Sequence, residues 1–437
     1  MTNDSAANAE RLASDERVLL GDLQLDKGDA IPDRDRVEPY LAALLQTEHL
    51  NLLIGAGLTT GLARLAKFND GPNMRAPLPL KDDLLRQVED AAKRFAEAAE
   101  RGDEENIEDR LRVAISAADG LRLIGDTRAD DLDTAIDSAL ETLRQSISAT
   151  EAALRESAGI PVAGNATLQG LLMTFLGSFA GRAPTRDRLH VFTTNYDRVV
   201  EWGAELSGLR VVDRFVGTLE PVFRSSRLEV DYHYSPPGSV RDPRHLDGVF
   251  RLTKLHGSVD WKWESERRRV VRAPLPFGSA GGPDPADLII FPNAAKDIET
   301  TFYPYADLFR DFSAALCRPH SALITYGYSF GDDHINRVIK DMLTIPSTHL
   351  LIISYDDKPG RIAKFITDHE RLGQISLMLG PTLAGLQELV ARWLPWPSAE
   401  FLLQRRAQIY RDRQAGPPPE EQAHSAAAKS EPKQADG

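Results

Sequence analysis

The chain has 437 residues, a net charge of −13, ordinary hydrophobic and charged fractions (42% and 27%) and a single cysteine. That length suits one large domain with an insertion, or two domains. No apolar run approaches the roughly 18–20 residues needed to span a bilayer. The polar, acidic start from Met1 to Arg17 lacks the apolar stretch of a secretory signal. With Cys317 alone, neither an internal disulfide nor a four-cysteine zinc site can form. Both facts fit a reducing cytoplasm, and Cys317 itself reads as a small buried residue in the apolar stretch from Phe312 to Cys317. An acidic chain with no dense basic stripe is a poor general nucleic-acid binder and carries no membrane segment. Arg267-Arg268-Arg269, beside Trp261 and Trp263, is the one local exception, and an exposed hairpin edge accounts for it better.

Residues 1–34 are polar, with scattered Asp, Gly and Pro, and read as an N-terminal arm. A helix should follow, with Val37, Leu41, Leu44 and Leu45 on one face. Leu50 to Ile54 is a short apolar run stopped by glycines, the pattern of a buried strand, and Leu58 to Lys67 suits the helix after it. Between 78 and 157 Ala, Leu, Glu, Arg and Asp dominate, and apolar residues recur at helical spacing (Leu84, Leu85 and Val88; Ile136, Leu140, Leu143 and Ile147). This predicts an all-helical insertion of three or more helices, with charged residues mostly on solvated faces. Strand–helix alternation then resumes. Strands are predicted at 190–194, 209–212, 250–255, 288–291, 322–326 and 350–354. Helices are predicted at 197–206, 303–317, 332–343, 359–369, 383–393 and 399–413. Turn formers fill 214–250, which reads as loops and short hairpins. The segment 414–437 is Pro, Glu, Gln, Ala and Lys with almost no large apolar residue, and reads as a disordered tail.

Short unalternated strands separated by helices predict an α/β fold with a Rossmann-like, mostly parallel sheet, occupying 35–77 and 158–413 around the insertion at 78–157. In such sheets ligands bind beyond the carboxyl ends of the strands. Gly55, Asn195, His256 and Gly327 each fall directly after an apolar strand, so the polar clusters lie where a ligand site is expected.

Four motifs occupy those positions. Gly55-Ala56-Gly57-Leu58-Thr59 is a strand–glycine turn–helix, where backbone can approach a phosphate at a helix N-terminus. It lacks the lysine of a Walker loop and the glycine spacing of the dehydrogenase fingerprint. An ordinary tight turn is its bland reading. Thr193-Thr194-Asn195-Tyr196-Asp197 opens a helix, and capping explains one of its polar residues but not the set. Lys254-Leu255-His256-Gly257-Ser258 puts a histidine at a strand end, where it could act as general base, with Gly257-Ser258 freeing the backbone to expose the ring. His334, in Asp332-Asp333-His334-Ile335-Asn336, is an intermediate case. Gly327-Tyr328-Ser329 is a second glycine turn that could close over the other half of a dinucleotide. With Phe330-Gly331 it also fits the Gly-x-Ser-x-Gly pattern of a serine hydrolase, with Ser329 as nucleophile, although no later Asp and His pair has persuasive context.

In this order the four motifs resemble the sirtuin fold family over roughly 37–395. The resemblance implies NAD as the ligand. Gly55, Ala56, Gly57 and Thr59 would form the phosphate-binding turn, Asn195 and Asp197 the nicotinamide-ribose motif, and Gly327 and Ser329 the adenosine-side turn. His256 would be the catalytic histidine, and Asn195 would hold the ribose and help to place water. The four-cysteine zinc module of sirtuin deacylases is absent, as is the Pro-Asp-Phe-Arg stretch after the first helix. The sequence is therefore more similar to the bacterial sirtuin-like NAD hydrolases of antiphage systems, above all in Gly327 to Asn336. That group implies hydrolysis of NAD to ADP-ribose and nicotinamide, without zinc, by a controlled homo-oligomer. The implied partner is a HerA-type ATPase, or alternatively an Argonaute-like protein. A catalytically silent NAD or ADP-ribose sensor is the non-enzymatic alternative. The insertion precedes the Asn195 strand, so its helices should lie close to the cleft mouth, and their amphipathic faces suit packing against another subunit.

Overall fold

A computed structural model of the chain describes residues 16–68, 72, 78–98, 107–163, 166–182, 186–226, 230–234, 244–290, 303–369 and 372–395. The helix expected at 399–413 and the tail expected at 414–437 lie outside these residues. The fold is mixed α/β, built on a nine-stranded sheet. Its strands in chain order are β1 (Arg17–Leu20), β2 (Leu23–Leu25), β3 (His49–Ile54), β4 (His190–Thr193), β5 (Arg210–Val212), β6 (Val249–Lys254), β7 (Ser321–Tyr326), β8 (His349–Ser354) and β9 (Ile375–Leu379). Their order across the sheet is β2-β1-β9-β8-β7-β3-β4-β6-β5. From β9 to β5 every neighbouring pair is parallel. All six residues of β7 are buried, and successive side chains point to opposite faces, so the sheet is covered on both.

Two features depart from the sequence reading. Residues 17–25, read as part of an irregular arm, form a hairpin around Gly21 (φ 57°) that pairs antiparallel with β9. The turn Gly21-Asp22 sits between two short apolar runs, a hairpin signal that the surrounding polar sequence obscures. The strand expected at 288–291 is observed at Leu288–Ile290, but it joins a separate five-stranded antiparallel sheet with Gly257–Glu264, Arg269–Arg272, Val222–Phe223 and Phe215–Val216. Trp261 is buried there against Phe215 and Phe223, while Arg267 and Arg269 pair with Glu264 at the hairpin end. Two of the three arginines thus have acidic partners, and Trp261 belongs to a core.

Among the described residues ten α-helices have seven residues or more: α1 (Arg34–Leu45), α2 (Gly57–Leu65), α3 (Asp82–Ala98), α4 (Ile107–Leu123), α5 (Arg128–Glu156), α6 (Leu168–Ala180), α7 (Val199–Leu206), α8 (Tyr305–Leu316), α9 (Asp333–Leu343) and α10 (Arg361–Thr367). The amphipathic helices α3–α5 occupy the predicted insertion. They do not stand apart: Leu111, Leu132 and Ile147 share one buried cluster with Tyr196, Val259 and Leu288. Their charges are not all on solvated faces either, since Glu108, Asp109, Arg110, Arg144 and Glu151 are buried. A long helix packed along one side against a domain must bury some polar positions, and these are tolerated when partners meet them. Among the described residues no helix is long and apolar enough to cross a membrane.

Candidate functional site

The chain passes from β3 through β4, β5 and β6 on one side, then returns to β7 on the other flank of β3. The strand order therefore reverses between β3 and β7, where parallel sheets open a crevice for ligand. Gly55-Ala56-Gly57 leaves β3 and Gly327-Tyr328-Ser329 leaves β7 at this point. The two turns cross in contact. The Gly57 N–H donates to the Gly327 carbonyl over 3.0 Å, and the Gly55 N–H to the Tyr326 carbonyl over 3.0 Å. A Cβ on Gly57 would lie 2.5 Å from the Gly327 Cα, and one on Gly55 2.4 Å from the Gly327 oxygen. These glycines serve first to let two backbones pass, and the Gly57 N–H is already engaged.

A cavity opens on each side of the crossing. The first, about 460 Å³, is lined by Thr60, Arg64, Gly327, Ser329, Tyr355 and Asp356 among others. The second, about 340 Å³, is lined by Ala56, Thr59, Asn195, Asp197, His256 and Ser329 among others. Of the residues singled out in the sequence, Gly57 and Gly327 line the first cavity, Ser329 lines both, and Gly55, within the crossing, lines neither.

Asn195, Thr59 and Asp197 form one buried network. The Asn195 amide donates to the Gly55 carbonyl (3.1 Å) and to the Thr59 hydroxyl (3.2 Å), which in turn donates to the Asp197 carboxylate (2.8 Å). Asp197 also accepts from the Val199 N–H at the start of α7 (3.1 Å). Burial pushes the Asp197 carboxyl up to about 6, against the opposing pull of Lys254 and the Thr59 hydroxyl. Lys254, itself buried, donates to the Asp197 carbonyl and to Glu201 (3.0 Å), which ties the end of β6 to this loop.

His256 is 5% exposed, so the following glycine does not bare its ring. Gly257 has φ 85°, and a Cβ there would come within 2.1 Å of the Ile289 carbonyl. The glycine is required by the close approach of the neighbouring antiparallel strand. The His256 ring neighbours Tyr196 (centroids 6.3 Å) and His334 from α9 (5.6 Å, interplanar 30°), and His334 in turn packs on Phe309.

Five further residues of this site escaped the sequence reading. Tyr196 was inside a motif but unassigned, and its hydroxyl donates to Glu108 of α4 over 2.6 Å. Glu108 and Ile147, both from the helical region, line the second cavity, as does Arg361 of α10. Glu151 of α5, with no exposure, accepts from the Arg198 backbone N–H (2.9 Å), from its guanidinium and from the Gly278 N–H (3.0 Å). Only the position of Tyr196 beside Asn195 carried a sequence signal. Among the described residues no group of three or more His, Cys, Asp or Glu is placed to hold a metal ion.

Fold and site together define a parallel-sheet domain with a cavity on each side of a glycine crossing at its switch point. Residues 189–370 match the model of a SIR2-like domain. That stretch is less than half of the chain and includes Asn195, His256, Gly327 and Ser329, while Gly55 to Thr59 precede it. The match supports a sirtuin-like family and, with it, NAD binding and an NAD-dependent activity. Among curated proteins no sequence matches the chain.

Proposed function

We propose that this protein hydrolyses the nicotinamide–ribose bond of NAD. Water adds to C1′ of the ribose as the C1′–N bond breaks. Nicotinamide leaves with the bonding electron pair, and the water proton passes to a base, giving ADP-ribose and nicotinamide. One observation carries the reading: Asn195 and His256 line one cavity, and Ser329 lines both that cavity and the one across the crossing. A dinucleotide laid over the crossing would put its nicotinamide end at Asn195 and His256 and its adenosine end against Arg64 and Tyr355. His256 would take the proton directly or through a ribose hydroxyl, while Asn195 would orient ribose and water. Asp197, whose carboxylate already accepts two hydrogen bonds, would hold Thr59 and the loop in place.

In this reading NAD depletion is the biological output, in antiphage defence. The protein works as a homo-oligomer held inactive until a HerA-type ATPase, or less favourably an Argonaute-like protein, engages it. Support comes from the likeness of Gly327 to Asn336 to that group and from the helices that reach the second cavity. Purified protein, with its partner where needed, should release nicotinamide. His256→Ala and Asn195→Ala should each lower that rate by about 10²–10⁴, the usual scale of general-base and positioning help. Full activity in both variants would refute the assignment, and binding of ADP-ribose with no turnover under any condition would make the protein a sensor. Ester hydrolysis abolished by Ser329→Ala would favour the serine hydrolase. Against that outcome, the left-handed backbone of this loop falls at Gly327 (φ 60°) and Phe330 (φ 55°), not at Ser329.

A further inference from the structure

The helical region supplies a residue to the second cavity that neither the motifs nor the SIR2-like match includes. Glu108 stands in the first turn of α4 and lines the same cavity as Asn195 and His256. It is 8% exposed, and the Tyr196 hydroxyl donates to its Oε1 over 2.6 Å. Tyr196 is fixed from below as well: its carbonyl accepts from the Val259 N–H (3.0 Å) and the Ser258 hydroxyl (3.3 Å). Burial and the neighbouring Glu108 carboxylate both hold the Tyr196 phenol well above its ordinary pKa, so it stays a donor at any working pH. The phenol ring neighbours the His256 imidazole (centroids 6.3 Å, interplanar 37°), which packs on His334. Glu108, Tyr196, His256 and His334 therefore form one buried chain, from the helical region through the cavity wall to α9.

We infer that Glu108 is a positioning residue for the reaction: through Tyr196 it fixes the face against which His256 sits, and so the direction in which the imidazole meets the substrate. The inference rests on the NAD hydrolase reading. It makes the helical region part of the catalytic machinery, because α4 cannot shift without taking the carboxylate away from Tyr196. A hydrogen bond to a charged acceptor in a desolvated site is among the stronger ones, and its loss at a site where geometry sets the rate appears in turnover.

The test is a double-mutant cycle on nicotinamide release. Tyr196→Phe should lower kcat about 10- to 100-fold with KM within about 3-fold. Glu108→Gln, which keeps an acceptor, should lower kcat by a smaller factor, roughly 3- to 10-fold. Adding Glu108→Gln to Tyr196→Phe should cost less than about 2-fold more, since both act through one contact. Each variant should keep the melting temperature of the wild type to within a few degrees, which separates positioning from loss of fold. Single variants that match the wild type, or single effects that multiply in the double variant, overturn this inference and leave the hydrolase reading intact. A wild-type protein that releases no nicotinamide, with or without its partner, overturns the hydrolase reading and this inference with it.

Discussion

The two cavities beside the glycine crossing are built differently. The first takes its walls from the ends of β7 and β8, from α2 and from the segment after β9, all parts of the sheet domain. The second takes Glu108 from α4 and Ile147 from α5, and its floor loop is clamped by Glu151 of α5. In the proposed reading the first cavity binds adenosine and the second hosts bond cleavage. Binding would then be a property of the sheet alone, and chemistry a property of the sheet and the helices together. Such a division lets one part of the chain switch the reaction without surrendering the substrate, because a switch needs an element that alters one site and spares the other.

The sharpest way to break this contrast is Glu151→Ala. It leaves Arg198, 6% exposed, without its carboxylate partner, and breaking a buried pair in this way costs roughly 3–5 kcal/mol. Urea unfolding should show that loss. In the protein that remains folded, nicotinamide release should fall further than ADP-ribose affinity. Equal losses in both would mean that the helices support the two cavities alike.

A smaller effect is expected at Asp197. Its carboxyl is raised from 3.8 to about 6 by burial. A raised folded-state value makes the group's contribution to stability fully present below about pH 4 and lost as the pH climbs through about 6. The shift corresponds to about 3 kcal/mol. Asp197→Asn should remove that slope, with Lys254 and Glu151 as the charged neighbours common to both proteins. Unfolding free energies of wild type and variant from pH 4 to 7 decide the matter, and parallel profiles would show that the carboxyl titrates normally.

Gly57→Ala should have the mildest effect on the fold and the broadest effect on function. Its Cβ would meet backbone at 2.5 Å, and overpacking of that kind costs roughly 1–3 kcal/mol. Because the crossing borders both cavities, ADP-ribose affinity and nicotinamide release should decline together. A variant that binds normally and only fails to turn over would place the crossing on the chemical side alone.

The sheet was largely legible in the sequence because buried parallel strands are written as continuous apolar runs, and Ile54, Thr193, Lys254 and Tyr326 each end one beside a polar cluster. The expected location of the candidate site followed from the same runs. What the glycines do there was only half legible. Gly55, Gly57 and Gly257 each face another backbone that is distant in sequence, and a turn signal does not say what approaches it. Glu108 and Glu151 were invisible for a similar reason. Their partners Tyr196 and Arg198 lie 88 and 47 residues away, and in a charged amphipathic helix a buried carboxylate has the same pattern as a solvated one. The strand Ile375–Leu379 was lost between two predicted helices, being an apolar run too short to separate from a helical end by periodicity.

The hairpin at the N-terminal end of the described residues has a consequence for the outer rim of the sheet. Without it, β9 would be the last strand, five buried residues with a full row of backbone groups facing outward. Such a rim is a template for indiscriminate strand addition by other chains. β1 occupies it, Glu16 fastens the hairpin by accepting from the Thr382 N–H (2.8 Å), and the strands left outermost, β2 and β5, have three residues each. Fibre-like growth by edge pairing thereby meets only a three-residue footing at either border of the nine-stranded sheet.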